Sequence, residues 1–218
     1  MNLYESNNEF EFIKLNSREE WLKARETRIG GSEASSLIGI NKYQSLRDLW
    51  RKKKKGITEE IDNEAIRYGN ALEPILREMF RVKHPTMDVQ YEENAILYSK
   101  KYEYMSYSPD GLIWDGARAG ILEIKTSFIR NSEMLRNWDN KIPDNYFVQV
   151  LWGLIVTGYE FVDLIAELRF MDGNASIRQY HIERKEVLDD IECIIETGHT
   201  NWQTYFIGDI EPKIQFEL

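Results

Sequence analysis

The chain of 218 residues has one cysteine, Cys193. That excludes an intramolecular disulfide and any zinc or iron–sulfur centre built from several cysteines, and it suits a reducing compartment. A long apolar run is also missing. The richest stretch, from Tyr146 to Thr157, is interrupted by Gln149 and is shorter than the roughly 20 apolar residues that span a bilayer. No secretory signal pattern opens the sequence, and no repeat or low-complexity linker divides it. The expectation is a soluble intracellular protein without a membrane partner. Positive charge is in deficit: 28 Lys/Arg against 37 Asp/Glu give a net charge of −9, which argues at first sight against an anionic partner.

The deficit is unevenly spread. Residues 14–55 hold 12 Lys/Arg and 5 Asp/Glu, a net of +7, which leaves 16 basic and 32 acidic residues elsewhere, a net of −16. Such polarity lets an anionic polymer bind one section while acidic surfaces repel it from others. The densest basic element is Arg51 followed by Lys52, Lys53, Lys54 and Lys55. The same run also fits a solvated helix end, where cations complement the macrodipole.

Hydrophobic residues make up 42% of the chain, enough for one globular domain with a sizeable core. Ser17-Arg-Glu-Glu20 has the capping-box pattern and predicts a helix over 18–27, broken by Gly30-Gly31. A short helix should follow from Ser32, another from Ser45 to Gly56, and a long one over 63–83. Between 87 and 126, β-branched and aromatic residues separated by turn signals predict strands at 88–91, 95–98, 102–107, 111–114 and 120–126. The apolar stretch predicts a helix over 144–157. Strands at 161–170 and 177–182 flank the Asp172-Gly173 turn, and a helix over 184–206 closes the chain. Helices, a mostly antiparallel sheet, then helix, strands and helix argue an α/β or α+β fold.

The stretch Ser108-Pro-Asp-Gly…Leu-Glu-Ile-Lys-Thr126 carries the chemistry. On a strand, side chains alternate faces, so Glu123 and Lys125 share one side while Leu122 and Ile124 feed a core. A turn between two short strands would bring Asp110 beside Glu123. Two carboxylates and an ammonium on one surface suit a hard divalent cation and a nucleophilic water, the chemistry of phosphodiester hydrolysis. A surface strand with an ion pair and an ordinary Pro-Asp-Gly turn is the competing interpretation. An acidic residue two places before a lysine occurs four times in the chain, but only at Glu123 does it combine with an apolar strand and an upstream Pro-Asp. Glu73 lies near the apolar face of the 63–83 helix and needs a partner if buried; a solvated glutamate at a helix start is the alternative. Gln149 is the one strongly polar interior residue of its helix. It either lines the site or caps a neighbouring backbone.

Trp21-Leu-Lys-Ala-Arg25, Ile29-Gly-Gly-Ser-Glu33, Gly69-x-x-x-Glu73, Pro109-Asp110, Glu123-Ile-Lys125 and Gln149 occur in the order found in the phage lambda exonuclease / YqaJ viral recombinase family, which the chain resembles over roughly residues 18–170. That family belongs to the PD-(D/E)XK nuclease superfamily. The resemblance implies a single nuclease domain over 1–218 with a restriction-endonuclease-like core, a central mixed sheet flanked by helices. The signals along the chain divide it into a loose lead-in at 1–15, a basic helical section at 17–56 and a C-terminal helix and tail at 184–218, with the catalytic core expected at 63–183. The resemblance also implies a 5′→3′ exonuclease on linear double-stranded DNA, using Mg²⁺ or Mn²⁺, with two ions. Asp110, Glu123 and the Ile124 carbonyl would be metal ligands, and Lys125 would orient water or stabilise charge on phosphate. Glu73 would contact metal or water, and Gln149 would position the lysine or the scissile phosphate. Arg25 and Ser32, with Arg28 nearby, would hold a terminal 5′-phosphate. A ring of three subunits, a single-strand annealing partner and a place in the cytoplasm of a bacterial or phage-infected host cell are further implications. A tyrosine four residues after the glutamine, common in another branch of the superfamily, is absent: Gly153 stands there. Taken without the resemblance, Arg25 is a surface helix arginine and Ser32 a plain N-cap. An endonuclease on the same core, and a non-catalytic DNA-binding module, remain as alternatives.

Overall fold

Caps and glycines set the helix boundaries at the start of the chain. The computed structural model describes residues 1–56 and 64–213. Ser17 Oγ accepts from the Glu20 amide at 3.1 Å and opens α1 (Arg18–Glu26), while the Glu20 carboxylate reaches back to the Asn16 amide at 3.0 Å. The next helix, α2 (Gly31–Leu37), begins inside the glycine pair, and Glu33 accepts from the Gly30 amide at 3.1 Å. Ser45 and Asp48 cap α3 (Leu46–Lys55) reciprocally, and Gly56 ends it at a φ of 63°, a left-handed conformation that glycine adopts without a Cβ penalty. The long helix α4 (Glu64–Lys83) carries Pro74 within it. Its expected start at residue 63 and the last residues of the expected tail, 214–218, lie outside the described residues.

The strands form two sheets. In one, β1 (Phe10–Lys14), β3 (Ala95–Ser99) and β4 (Ser106–Tyr107) pair antiparallel in that order. The other has the order β2 (Asp88–Gln90), β5 (Gly111–Trp114), β6 (Ala119–Ile129), β7 (Phe161–Phe170), β8 (Ala175–Glu183). It is mixed: β6 and β7 run parallel and the other pairs antiparallel. The parallel pair is joined by α5 (Ser132–Arg136) and α6 (Asp144–Thr157), the crossover that parallel strands require.

Several expectations are corrected. The lead-in is not loose: β1 pairs with β3, and Leu3, Tyr4 and Phe10 are buried. The strand expected at 102–107 is only Ser106–Tyr107, because the Met105 amide turns back to the Tyr102 carbonyl at 2.8 Å. The closing helix is α7 (Leu188–Asn201), preceded by a 3₁₀ turn and followed by a wider π-type coil over Trp202–Ile207.

The five-stranded sheet is covered on both faces. Leu76 and Phe80 of α4 pack with Ile113, Leu122, Ile124 and Ile165 on one side. On the other, α2, α6 and α7 bury Leu37, Val150, Trp152 and Ile194 in the larger core. Nine residues of α6 are buried, so a helix that is apolar nearly all round is the stable choice there. Its polar Gln149 packs beside Gly31 of α2 and reaches Glu123 on β6.

Candidate active site

Strand register builds the centre. Gly111 pairs with Leu122, which sets Asp110 opposite Glu123, and the Ile124 amide donates to Asp110 Oδ2 at 2.7 Å. Glu123 is 1% exposed. Its Oε1 accepts from Lys125 Nζ and from Gln149 Nε2, each at 2.5 Å, and its Oε2 accepts from the Tyr107 hydroxyl. Lys125 Nζ also lies 5.3 Å from the centroid of the Tyr146 ring. From α4, Glu73 faces the same region and is paired to Arg77, whose Nε donates to the Asp110 carbonyl at 2.7 Å. The Arg77 guanidinium sits 3.5 Å from the centroid of Tyr91. Gly69 lets α4 approach: a Cβ there would meet Thr126 Oγ1 at 3.1 Å.

The electrostatics are those of an acid-rich pocket short of positive charge. Burial, then the Glu123 carboxylate, push the Asp110 carboxyl well above its ordinary pKa, against the opposing pull of Lys125 and the Ile124 amide. Burial works against the Lys125 ammonium, but Glu123 and Asp110 outweigh it and raise the lysine pKa. Burial and the same two carboxylates raise the Tyr107 phenol. Asp110 and Glu123 thus share one ammonium.

A cleft of about 280 Å³ is lined by Glu73, Asp110 and Gln149 together with Arg18, Arg25 and Ser32 from the N-terminal helices. Arg25 Nη2 donates to Ser32 Oγ at 3.0 Å, and its guanidinium lies 4.3 Å from the Trp21 ring centroid. Trp21 Nε1 in turn donates to Ser108 Oγ at 3.2 Å. Residues far apart in sequence are therefore brought into one cleft: Arg25 and Ser32 with Glu73, Asp110 and Gln149.

Other expected residues lie elsewhere. Arg28 stacks on Tyr98, 4.0 Å from the ring centroid, and donates to the Glu103 carbonyl, outside the cleft. The lysine run is turned inward or toward acids. Lys53 is held by Glu33 and by the Arg25 and Arg28 carbonyls, and Lys52 by Glu33. Lys54 meets Asp209 and the Phe206 carbonyl, and Lys55 meets Glu211. Sequence reasoning missed Tyr107, Ser108 and Arg77. Arg77 had a signal, since it stands four residues after Glu73, one helical turn away. Tyr107 read only as a strand aromatic.

A family model for the YqaJ-like viral recombinase domain matches residues 20–160. The chain is 32% identical over 200 residues to the uncharacterized protein YqaJ of Bacillus subtilis (strain 168), an alignment that takes in 91% of this chain. It spans 59% of the length of that relative. Among solved structures, an alkaline exonuclease (LHK-Exo) from Laribacter hongkongensis superposes with a TM-score of 0.61 at 19% identity, over 85% of this chain and 93% of that one. The same enzyme in complex with dAMP matches equally well at 20% identity. A phage-related exonuclease from Haemophilus somnus 129PT gives a TM-score of 0.56 at 14% identity, over 84% of this chain and 96% of that one. The fold of these enzymes is the fold of this chain.

Proposed function

The chain belongs to the YqaJ-like viral recombinase domain family, and from that premise we propose that it is a metal-dependent deoxyribonuclease, a 5′→3′ exonuclease on linear double-stranded DNA serving phage-type recombination. One observation carries the proposal: Asp110, with the buried Glu123 opposite it on the neighbouring strand and Lys125 on Glu123, lines the same cleft as Arg25 and Ser32. The first group is suited to hydrolysing a phosphodiester and the second to gripping a terminal phosphate. The complex of the similarly folded alkaline exonuclease with dAMP supports a deoxynucleotide substrate.

The donors fit a hard cation. Asp110, Glu123 and the Ile124 carbonyl offer only oxygen, which Mg²⁺ and Mn²⁺ prefer. Among the described residues no three His, Cys, Asp or Glu side chains gather into a ready cage, and Mg²⁺ accordingly would keep several of its waters. The Asp110 carboxyl, raised by burial and by Glu123, is the group that added positive charge would return to its ionised form. When bound, one or two such ions would supply Lewis-acid polarisation of the phosphate and a more acidic water.

The chain's own groups perform the rest. Lys125, kept cationic by the two carboxylates, is placed to orient the attacking water and to offset charge developing on the phosphate. Gln149 holds the Glu123 carboxylate from α6 and keeps the lysine and the acid in register. Arg77 holds Glu73 and the Asp110 backbone. On the cleft wall formed by α1 and α2, the Arg25 fork and the Ser32 hydroxyl suit the extra charge and acceptors of a terminal phosphate. Digestion of linear duplex labelled at one 5′ end or one 3′ end, with and without Mg²⁺, tests the proposal. The expected result is Mg²⁺-dependent early release of the 5′ label; early release of the 3′ label would reverse the polarity, and no release would remove the activity.

A further inference from the structure

We infer that Tyr107 is the positioning residue of the Glu123 carboxylate, its hydroxyl fixing the orientation in which Glu123 presents oxygen to a divalent cation. The inference rests on the nuclease proposal above and adds to it a residue outside the acid, lysine and glutamine set.

Glu123 has three side-chain donors around it, and they are not equivalent. Lys125 and Gln149 both reach Oε1, while Tyr107 is the one that holds Oε2 among the described residues. Lysine and glutamine end in nitrogen donors with further hydrogens to offer. The tyrosine hydroxyl has one, and its ring, which borders the cleft, is only 1% exposed and otherwise packed in the core.

The seat of the ring is made by missing side chains. A Cβ on Gly31 would lie 2.9 Å from Tyr107 Cδ2, and a Cβ on Gly153 would lie 2.7 Å from its Cζ. Two helices, α2 and α6, therefore present bare backbone to the ring from different parts of the chain. A phenylalanine would fill the same slot equally well. What the hydroxyl adds, in a place where burial makes an unpartnered polar group costly, is the bond to Glu123 Oε2. Tyr107 also stands three residues before Asp110, so a single short segment places one acid directly and orients the other. Partners that orient a metal-binding carboxylate are worth about 10–100-fold in metal affinity or activity.

Tyr107→Phe removes the hydroxyl and keeps the ring. The full chain is titrated with Mn²⁺ alone, following the free ion by electron paramagnetic resonance, and steady-state rates are measured on linear duplex DNA. The expected result is a Mn²⁺ affinity lowered at least about 10-fold and a reduced kcat, with KM for DNA close to wild type. Wild-type Mn²⁺ affinity in the variant overturns the inference. So does a lowered thermal midpoint with Mn²⁺ affinity unchanged, since that marks a purely structural hydroxyl. Wild-type protein that neither binds Mn²⁺ nor cleaves DNA overturns the nuclease proposal itself, and the inference falls with it.

Discussion

Glu33→Gln tests the anchor beneath the cleft wall formed by α1 and α2. Glu33 is 5% exposed, with Lys53 Nζ 2.7 Å from Oε2 and Lys52 Nζ 2.8 Å from Oε1. The Lys53 side chain is only 7% exposed. Burial pulls the Lys53 pKa below the ordinary lysine value even with Glu33 beside it. Burial also opposes the Glu33 carboxylate, but the two lysines outweigh it and hold that carboxyl below its usual value. Glutamine can still accept from the Gly30 amide and from one lysine through its oxygen, but its NH2 cannot accept from the other, so the substitution removes the charge and one acceptor. It leaves the Lys53 ammonium enclosed without an acid, and breaking a buried pair in this way costs about 3–5 kcal/mol. Lys52 reaches water, which favours the lower end, about 3 kcal/mol, or a fall in Tm of about 6–12 °C for a chain of this size. Urea unfolding with an unchanged m value measures it. Adding Lys53→Met should recover at least about 1 kcal/mol, because the second charge is then no longer stranded. The sign with pH is fixed by the depressed folded-state pKa. The Glu33 contribution is complete above the unfolded value of about 4.3 and is lost as pH falls through the lower folded value, so the gap between wild type and variant should close in acid. A variant within about 1 kcal/mol of wild type at neutral pH, or a gap that widens on acidification, refutes this view of the pair.

Lys125→Ala and Asp110→Ala should each lower turnover by about 10²-fold or more, and Glu73→Ala and Gln149→Ala by less; initial rates on linear duplex decide, and near-normal turnover by Asp110→Ala dismisses the site. Replacing Lys54 and Lys55 with Met should leave the salt dependence of DNA affinity unchanged, since both already face acids, whereas Arg25→Ala should reduce the slope by about 1. The reverse pattern would place DNA on the basic run. A 5′-phosphorylated duplex should be digested faster than its 5′-hydroxyl counterpart, and Arg25→Ala should narrow the difference; equal rates in wild type would put end recognition elsewhere.

Local signals in the sequence carried far. Ser17, Ser45, Gly56 and the Asp172-Gly173 turn marked boundaries that the structure keeps, and the Pro109-Asp110 to Glu123 spacing anticipated the register that sets the two acids together. What stayed hidden depended on partners far away in the chain. Phe10-Glu-Phe-Ile-Lys14 is a short alternating segment whose pairing with Ala95–Ser99 supplies its stability, and nothing local announces that. The lysine run read as an open cationic strip because its counter-charges, Glu33, Asp209 and Glu211, come from other elements. Tyr107 was invisible for a related reason: its meaning depends on Gly31 and Gly153, and a glycine announces only that space is available.

The most direct measurement compares linear duplex DNA with the same DNA as a covalently closed circle, incubated with wild-type protein and with Asp110→Ala, in Mg²⁺ and in excess chelator. A metal-dependent exonuclease centred on Asp110, Glu123 and Lys125 digests the linear molecule in Mg²⁺, leaves the closed circle intact, and loses its activity with either the chelator or the substitution. Cleavage of the closed circle, or digestion of the linear DNA that persists in chelator or in Asp110→Ala, contradicts it.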